Sequence, residues 1–232
     1  MKKTILSAFL LSAAQLAHAQ SIPAGTISLG GSVGYSRSTS KTSGTSGNNT
    51  SSTETNSSQF NISPSVGYFV LDNLQVGLNL GYSSVRQPYT TSSLPYYSLP
   101  EPGPQTRLSV GPFVQYYKMV SEQFGFTGNL GAGYQREHYQ TYYGGNSTSP
   151  DLLEINGSGF YAGLTPGIVF FPIPRLGLNA SMGALAYNHS NYKYPTGVNV
   201  VGPVDYTNTT SYFGANFGLS QLQFGGTYYF GR

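Results

Sequence analysis

Apolar and polar residues alternate with a period of two along most of the chain, and the alternation falls into eight runs. The first sets Ile27, Leu29, Gly31, Val33 and Tyr35 against Ser28, Gly30, Ser32 and Gly34. The next three run from Phe60 to Tyr68, from Leu74 to Tyr82 and from Leu108 to Tyr116, the last with Phe113 out of pattern. Further runs cover Phe124 to Tyr134, Phe160 to Phe170 and Leu176 to Ala184. The eighth begins at Phe213, changes phase near Ser220 and continues from Leu222 to Phe230, which predicts a β-bulge.

The two faces differ in a way that selects the environment. On the apolar side no run carries a charge, an amide or any hydroxyl except tyrosine. A Lys or Arg facing lipid at mid-depth costs about 2–4 kcal/mol, so that face suits hydrocarbon. The other face is small and polar, with Asn79, Asn129 and Asn179 at matching places. A soluble sandwich would carry charges on its outer face. Here the polar face is nearly uncharged and glycine-rich, as a narrow lumen requires.

Connections alternate in length. Val70–Asn73, Met119–Gln123 and Phe171–Arg175 are short, whereas Arg37–Gln59, Ser84–Gln105, Gln135–Gly159 and Asn188–Tyr212 are long. The pattern predicts an all-β, eight-stranded antiparallel up-and-down transmembrane β-barrel, with short periplasmic turns, four long extracellular loops and both termini periplasmic. A ten-strand count is left open. Tyr35, Tyr82, Tyr134 and Tyr187 mark one rim; Tyr68, Tyr116, Phe170, Tyr228 and Phe230 mark the other, the two girdles of a membrane wall. Pro64, Pro112 and Pro166 fall inside strands, each deleting a ladder hydrogen bond, and suggest a repeated bulge.

Composition agrees with export. Met1-Lys2-Lys3, a short apolar run and Ala17-His18-Ala19 describe a cleaved signal peptide over 1–19, leaving 20–232 as one outer-membrane barrel domain. Only 8% of residues are charged, and without Lys2 and Lys3 nine basic face eight acidic residues, so no field for nucleic acid is present. There is no cysteine, which excludes disulfides and thiolate metal sites.

Phe60-Asn61-Ile62-Ser63-Pro64-Ser65-Val66-Gly67-Tyr68-Phe69-Val70, running through Asp72-Asn73 into Val76-Gly77-Leu78, resembles the central hairpin of small outer-membrane β-barrels of the OmpX and OmpA transmembrane-domain type. Gly226-Thr227-Tyr228-Tyr229-Phe230 resembles their aromatic-terminated last strand, although Gly231-Arg232 follows it here. The resemblance implies as partners outer-membrane lipids, lipopolysaccharide and, during biogenesis, the barrel-assembly machinery. It does not choose among the porins, adhesins and enzymes built on this fold.

Candidate chemistry is sparse. His138 and His189 are the histidines of the mature chain, and His189-Ser190 with Glu137, Asp151 or Glu154 is the one conceivable hydrolase constellation. No His/Asp/Glu grouping has metal-ligand spacing, so no catalytic, cofactor-binding or metal residue and no cofactor is assigned. Ser38–Ser58 reads as a low-complexity solvating loop. Tyr89, Tyr96, Tyr97, Tyr139, Tyr142, Tyr143, Tyr192 and Tyr194 enrich the other long connections, as inter-loop packing or as a recognition surface for an unidentified ligand. Arg107 is the charge placed inside the lumen, with Glu137 or Glu154 as its expected partner, and Phe113, Tyr161, Leu185 and Tyr229 are read as lumen filling. The reading is a non-enzymatic outer-membrane barrel acting through its loops in surface interaction or envelope integrity. A narrow porin or small-molecule conduit is the alternative, and an outer-membrane hydrolase a remote one.

Overall fold

The computed structural model describes residues 21–46, 49–87, 101–143, 151–194, 207–218 and 221–232; the predicted signal peptide over 1–19 lies outside the described residues. Ten strand segments follow one another: β1 (Ile27–Ser46), β2 (Asn49–Leu71), β3 (Leu74–Arg86), β4 (Gln105–Met119), β5 (Phe124–Tyr143), β6 (Asp151–Ile173), β7 (Leu176–Met182), β8 (Ala184–Lys193), β9 (Thr207–Asn216) and β10 (Leu222–Phe230). β7 and β8 are one stave broken at Gly183, and β9 and β10 one stave broken after Asn216, so ten segments make eight staves. Each pairs antiparallel with its neighbours, and the ring closes where β1 meets β10, from Ile27↔Phe230 to Val33↔Phe224. Along those paired rungs closure gives the peptide groups of the wall partners that hydrocarbon cannot supply.

Two rows of directly opposed residues define the wall. Ile27↔Tyr68, Leu74↔Tyr116, Phe126↔Ile168 and Leu176↔Tyr228 ring the short-turn end. Tyr35↔Phe60, Tyr82↔Leu108, Tyr134↔Phe160 and Tyr187↔Phe213 ring the long-loop end, each pairing a tyrosine with an apolar partner. In the first three hairpins both staves count eight residues from one row to the other. Such a stave matches the roughly 9–11 tilted residues that cross a hydrocarbon core. The outer wall between the rows is apolar and open: Leu29, Leu78, Leu80 and Leu130 are all more than half exposed. A monomer in water rarely shows so continuous an apolar surface.

The fourth hairpin breaks the rule. Eleven residues separate Leu176 from Tyr187, and fifteen separate Phe213 from Tyr228. One residue of the surplus on the upward stave is at Gly183, whose φ of +82° no residue with a Cβ adopts comfortably, and whose close approach to the Asn216 carbonyl leaves no room for one. On the downward stave the surplus lies between Asn216 and Leu222, where the phase change near Ser220 was expected. Because Gly183 shifts the register by one residue, Leu185 and Tyr187 face outward; the expectation that Leu185 fills the lumen is therefore corrected.

The three prolines behave alike on one side only. Pro64 keeps its place opposite Gly31, while the ladder to β3 skips from Ser65↔Asn79 to Ile62↔Tyr82. Pro112 stands opposite Leu78 and interrupts the ladder to β5. Neither skip shifts the register, so the missing N–H faces the following stave without a bulge. Only Pro166 lies beside one, and the extra residue, Gly183, belongs to the partner stave.

The long connections are shorter than the sequence suggested because the strands continue. β1 and β2 stay paired to Ser46↔Asn49, so Ser38–Ser46 and Asn49–Ser58 are ladder and not loop, with Lys41 and Glu54 ion-paired at 3.1 Å. Threonine and serine suit a two-sided exposed ribbon whose backbone is satisfied by pairing alone. β5 and β6 likewise pair up to Tyr143↔Asp151.

Candidate functional site

The chain encloses a lumen with a plugged end, a polar middle and a charged mouth. At the short-turn end, residues two apart on each inward face converge: Phe69 from β2, Tyr117 and Met119 from β4, Val169 and Phe171 from β6, and Tyr229 from β10 are buried together with Ile22. Phe69 and Tyr117 pack at 5.5 Å between ring centroids, Phe171 and Tyr229 at 5.3 Å, and the Tyr117 and Tyr229 hydroxyls are 3.1 Å apart. Ile22 is brought there by the segment before β1. Its N–H donates to Asn73 Oδ1 at 2.8 Å, and its carbonyl accepts from the Asn73 N–H at 2.9 Å. Asn73 takes a φ of +63°, a conformation asparagine tolerates, to close the Asp72-Asn73 turn. Arg232 lies 3.6 Å above the Phe171 ring, a cation–π contact that covers the plug from below.

Polar side chains tie the plug to the lumen. Gln75 accepts from Ser28 Oγ at 2.7 Å and donates to Gln115 Oε1 at 2.9 Å and to the Tyr117 hydroxyl at 3.1 Å. Above them is a cavity of about 420 Å³ lined by Arg107 and otherwise mostly by uncharged polar groups and small residues, including Ser32, Ser65, Gln223 and the three asparagines Asn79, Asn129 and Asn179. Phe113 narrows it from one side, its ring accommodated because Gly77 has no Cβ. Tyr161 also lines it.

At the mouth, Glu137 is buried and collects three donors. Arg107 Nε lies 3.0 Å from Oε1, Gln135 Nε2 3.2 Å from the same oxygen, and the Tyr192 hydroxyl 2.8 Å from Oε2. Gln135 also donates to Ser190 Oγ at 3.0 Å. Of the two partners expected for Arg107, Glu137 is the one it meets; Glu154 instead accepts from Gln140 at 3.2 Å on the exposed hairpin. The Gln135 and Tyr192 arms of this brace were not legible in sequence because Glu137 lay in what read as a loop, whereas β5 carries it two residues beyond the buried Gln135 on the same inward face.

The hydrolase constellation does not assemble. His189 and Ser190 are consecutive in a strand and face opposite ways: His189 Nδ1 meets Ser211 Oγ at 2.9 Å outside, while Ser190 turns inward to Gln135. His138 is half-buried, its Nδ1 3.2 Å from Asn156 Oδ1. The side chain of Asp151 and residues 88–100, with Tyr89, Tyr96 and Tyr97, lie outside what is described, as do the side chains of Tyr142 and Tyr143. Tyr139 and Tyr192, which read as loop residues, lie in β5 and β8 and pack edge to face at 5.8 Å. Burial, followed by the neighbouring Tyr194, pushes the Tyr139 hydroxyl up to about 12.

On the outer wall, Arg37 and Arg86 project just above Tyr35 and Tyr82, and in the ladders Ser58 stands opposite both. They line a shallow depression with Asn56 and Glu101, the latter 3.3 Å from Arg86.

A search of the curated proteins finds no match to this chain. A family profile described as "Putative MetA-pathway of phenol degradation" matches residues 6–99. Among solved structures, the chain is similar to the outer membrane protein OprG from Pseudomonas aeruginosa, at 14% identity over 90% of this chain and 97% of that one, with a TM-score of 0.45. Neisserial surface protein A matches at 14% identity over 89% and 98%, TM-score 0.41. Ail, the attachment invasion locus protein of Yersinia pestis, matches at 14% over 89% and 99%, TM-score 0.38. The closed ring of eight antiparallel staves, the uncharged apolar wall and its two girdles make this chain a small β-barrel of the outer-membrane type.

Proposed function

We propose that this barrel works from its long-loop face, in surface interaction or envelope integrity, and that its lumen is not a through-pore. The observation that carries the reading is the plug: Phe69, Tyr117, Phe171 and Tyr229 are each no more than 2% exposed and close the short-turn end. In this reading the short turns and both termini face the periplasm, the leader over 1–19 is removed, and the barrel-assembly machinery inserts the chain. Lipopolysaccharide is the natural neighbour of the outer wall, because Arg37 and Arg86 stand where the phosphates of its headgroup would lie, directly above the tyrosine girdle. The test is single-channel recording in planar bilayers. Silent insertion is expected; steady steps of open current would refute the closed-end reading.

The competing reading is a conduit for small molecules, supported by the polar cavity of about 420 Å³. Should the family matched over residues 6–99 lend its description to this chain, the cargo would be a small aromatic. A hydrolase role has no support from the placement of His189 and Ser190 on opposite faces of β8.

A further inference from the structure

The barrel wall is not continuous. β1 pairs with β10 only as far as Val33↔Phe224, although β1 itself runs on to Ser46. Among the described residues, β9, the upper half of the last stave, has β8 as its sole neighbour in the sheet. The cause is the surplus in the last stave. The β7–β10 ladder pairs Leu222 with Met182 and the β8–β9 ladder pairs Asn216 with Ala184, so the downward stave holds four more residues than the upward one between these rungs. β9 is thereby carried away from β1, leaving a seam bounded by β1 above Val33 on one side and by β9 on the other.

Unpaired strand edges are not tolerated against hydrocarbon but are tolerated where they border a water-filled cavity. The seam meets that condition. Gly31 and Ser32 of β1 and Gln223 and Gly225 of β10, the last rungs beneath it, also line the polar cavity. Outside, its lips are apolar: Val33, Tyr35, Phe213 and Phe224 are each more than half exposed.

We propose that this seam is a lateral port through which an uncharged amphiphile dissolved in the membrane places its polar end in the lumen while its apolar part stays among the lipids. The class follows from the lining. Ser32, Gln223, Thr227, Asn179 and Asn188 offer hydrogen bonds without net charge, and the Arg107–Glu137 pair neutralises itself. The plug blocks onward passage, so the port is a binding site open to the membrane. The inference goes beyond the closed-end reading and stands without it, since a conducting barrel could carry the same port.

The chain contains no tryptophan, so one introduced residue is a unique fluorescent reporter. Gln223→Trp places it in the cavity at the foot of the seam, and Leu80→Trp places it on the lipid-facing wall. The probe is a long-chain alcohol brominated beside its hydroxyl, 2-bromododecanol, in phosphatidylcholine vesicles. Quenching of Gln223→Trp comparable to that of Leu80→Trp is expected. Deleting residues 217–220 brings the two ladders into one register, and in that background Gln223→Trp should lose its quenching while Leu80→Trp keeps it. Amide exchange on the undeleted protein gives a reading that does not depend on the deletion variant folding: fast exchange at the seam-facing amides of β9 is expected. Quenching of Leu80→Trp alone, slow exchange along that edge, or a cross-linked dimer from Ser36→Cys showing a second copy in the seam would each overturn the proposal.

Discussion

Leu78 and Asn79 are neighbours in β3, and the fold requires opposite responses to the same charge. Leu78 stands midway between Leu74 in one girdle row and Tyr82 in the other, and 57% of its surface is open on the outer wall. An arginine there meets hydrocarbon at mid-depth, at a cost of about 2–4 kcal/mol, whereas at the Leu74 level the cost falls to about 0–1 kcal/mol. Asn79 lines the polar cavity, where a charge keeps its water. Leu78→Arg should therefore lower the folding equilibrium by roughly 30- to 700-fold, and Asn79→Arg by far less. The assay is equilibrium refolding from urea into phospholipid vesicles, followed by tyrosine fluorescence and by mobility on unboiled gels. Equal losses for the two variants, or the larger loss at Asn79, would refute the assignment of the faces.

Three further outcomes follow from the interior. Arg107→Leu leaves the buried Glu137 with only Gln135 and Tyr192 as donors and should cost about 1–3 kcal/mol, with part recovered when Glu137→Leu is added; additive losses in that cycle would contradict the brace. Gly183→Ala forces a side chain into φ +82° and should destabilise the barrel by about 1–3 kcal/mol, and an unchanged urea midpoint would show that the stave does not break there. The Tyr139 hydroxyl, pushed up to about 12, favours the neutral form in the folded state. Its contribution to stability is complete below the ordinary tyrosine range near pH ~10 and is lost as pH rises through the folded value. Ultraviolet tyrosinate absorbance at the alkaline end should lose the contribution of one late-titrating tyrosine in Tyr139→Phe.

The wall was legible in the sequence because lipid imposes a simple rule on alternate residues. Once Ile27, Leu78 and Phe160 are assigned outward, period two fixes the faces of whole strands, and the tyrosine rims follow. The limits of the strands were not legible, because Ser38–Ser46 and Asn49–Ser58 pair through their backbones while their composition reads as loop. The lumen contacts were legible only in part. Arg107 was expected to meet Glu137 or Glu154, and the choice between them came from the register of β4 against β5, which sets Arg107 opposite Glu137. Gln75 with Tyr117 escaped because it rests on the register of β3 against β4 across a long connection. Gly183 illustrates the sensitivity: one extra residue turned Leu185 outward, and only the conflict between Ala184 and Tyr187 in the alternation hinted at it.

The central claim is that the chain closes into a membrane-embedded barrel with an apolar outer wall. Heat-modifiable mobility tests it most directly: protein extracted from the outer-membrane fraction is run on SDS gels with and without boiling. The account predicts a compact, detergent-resistant band that shifts on boiling. A single unshifted band, from protein recovered in the soluble fraction, would contradict it.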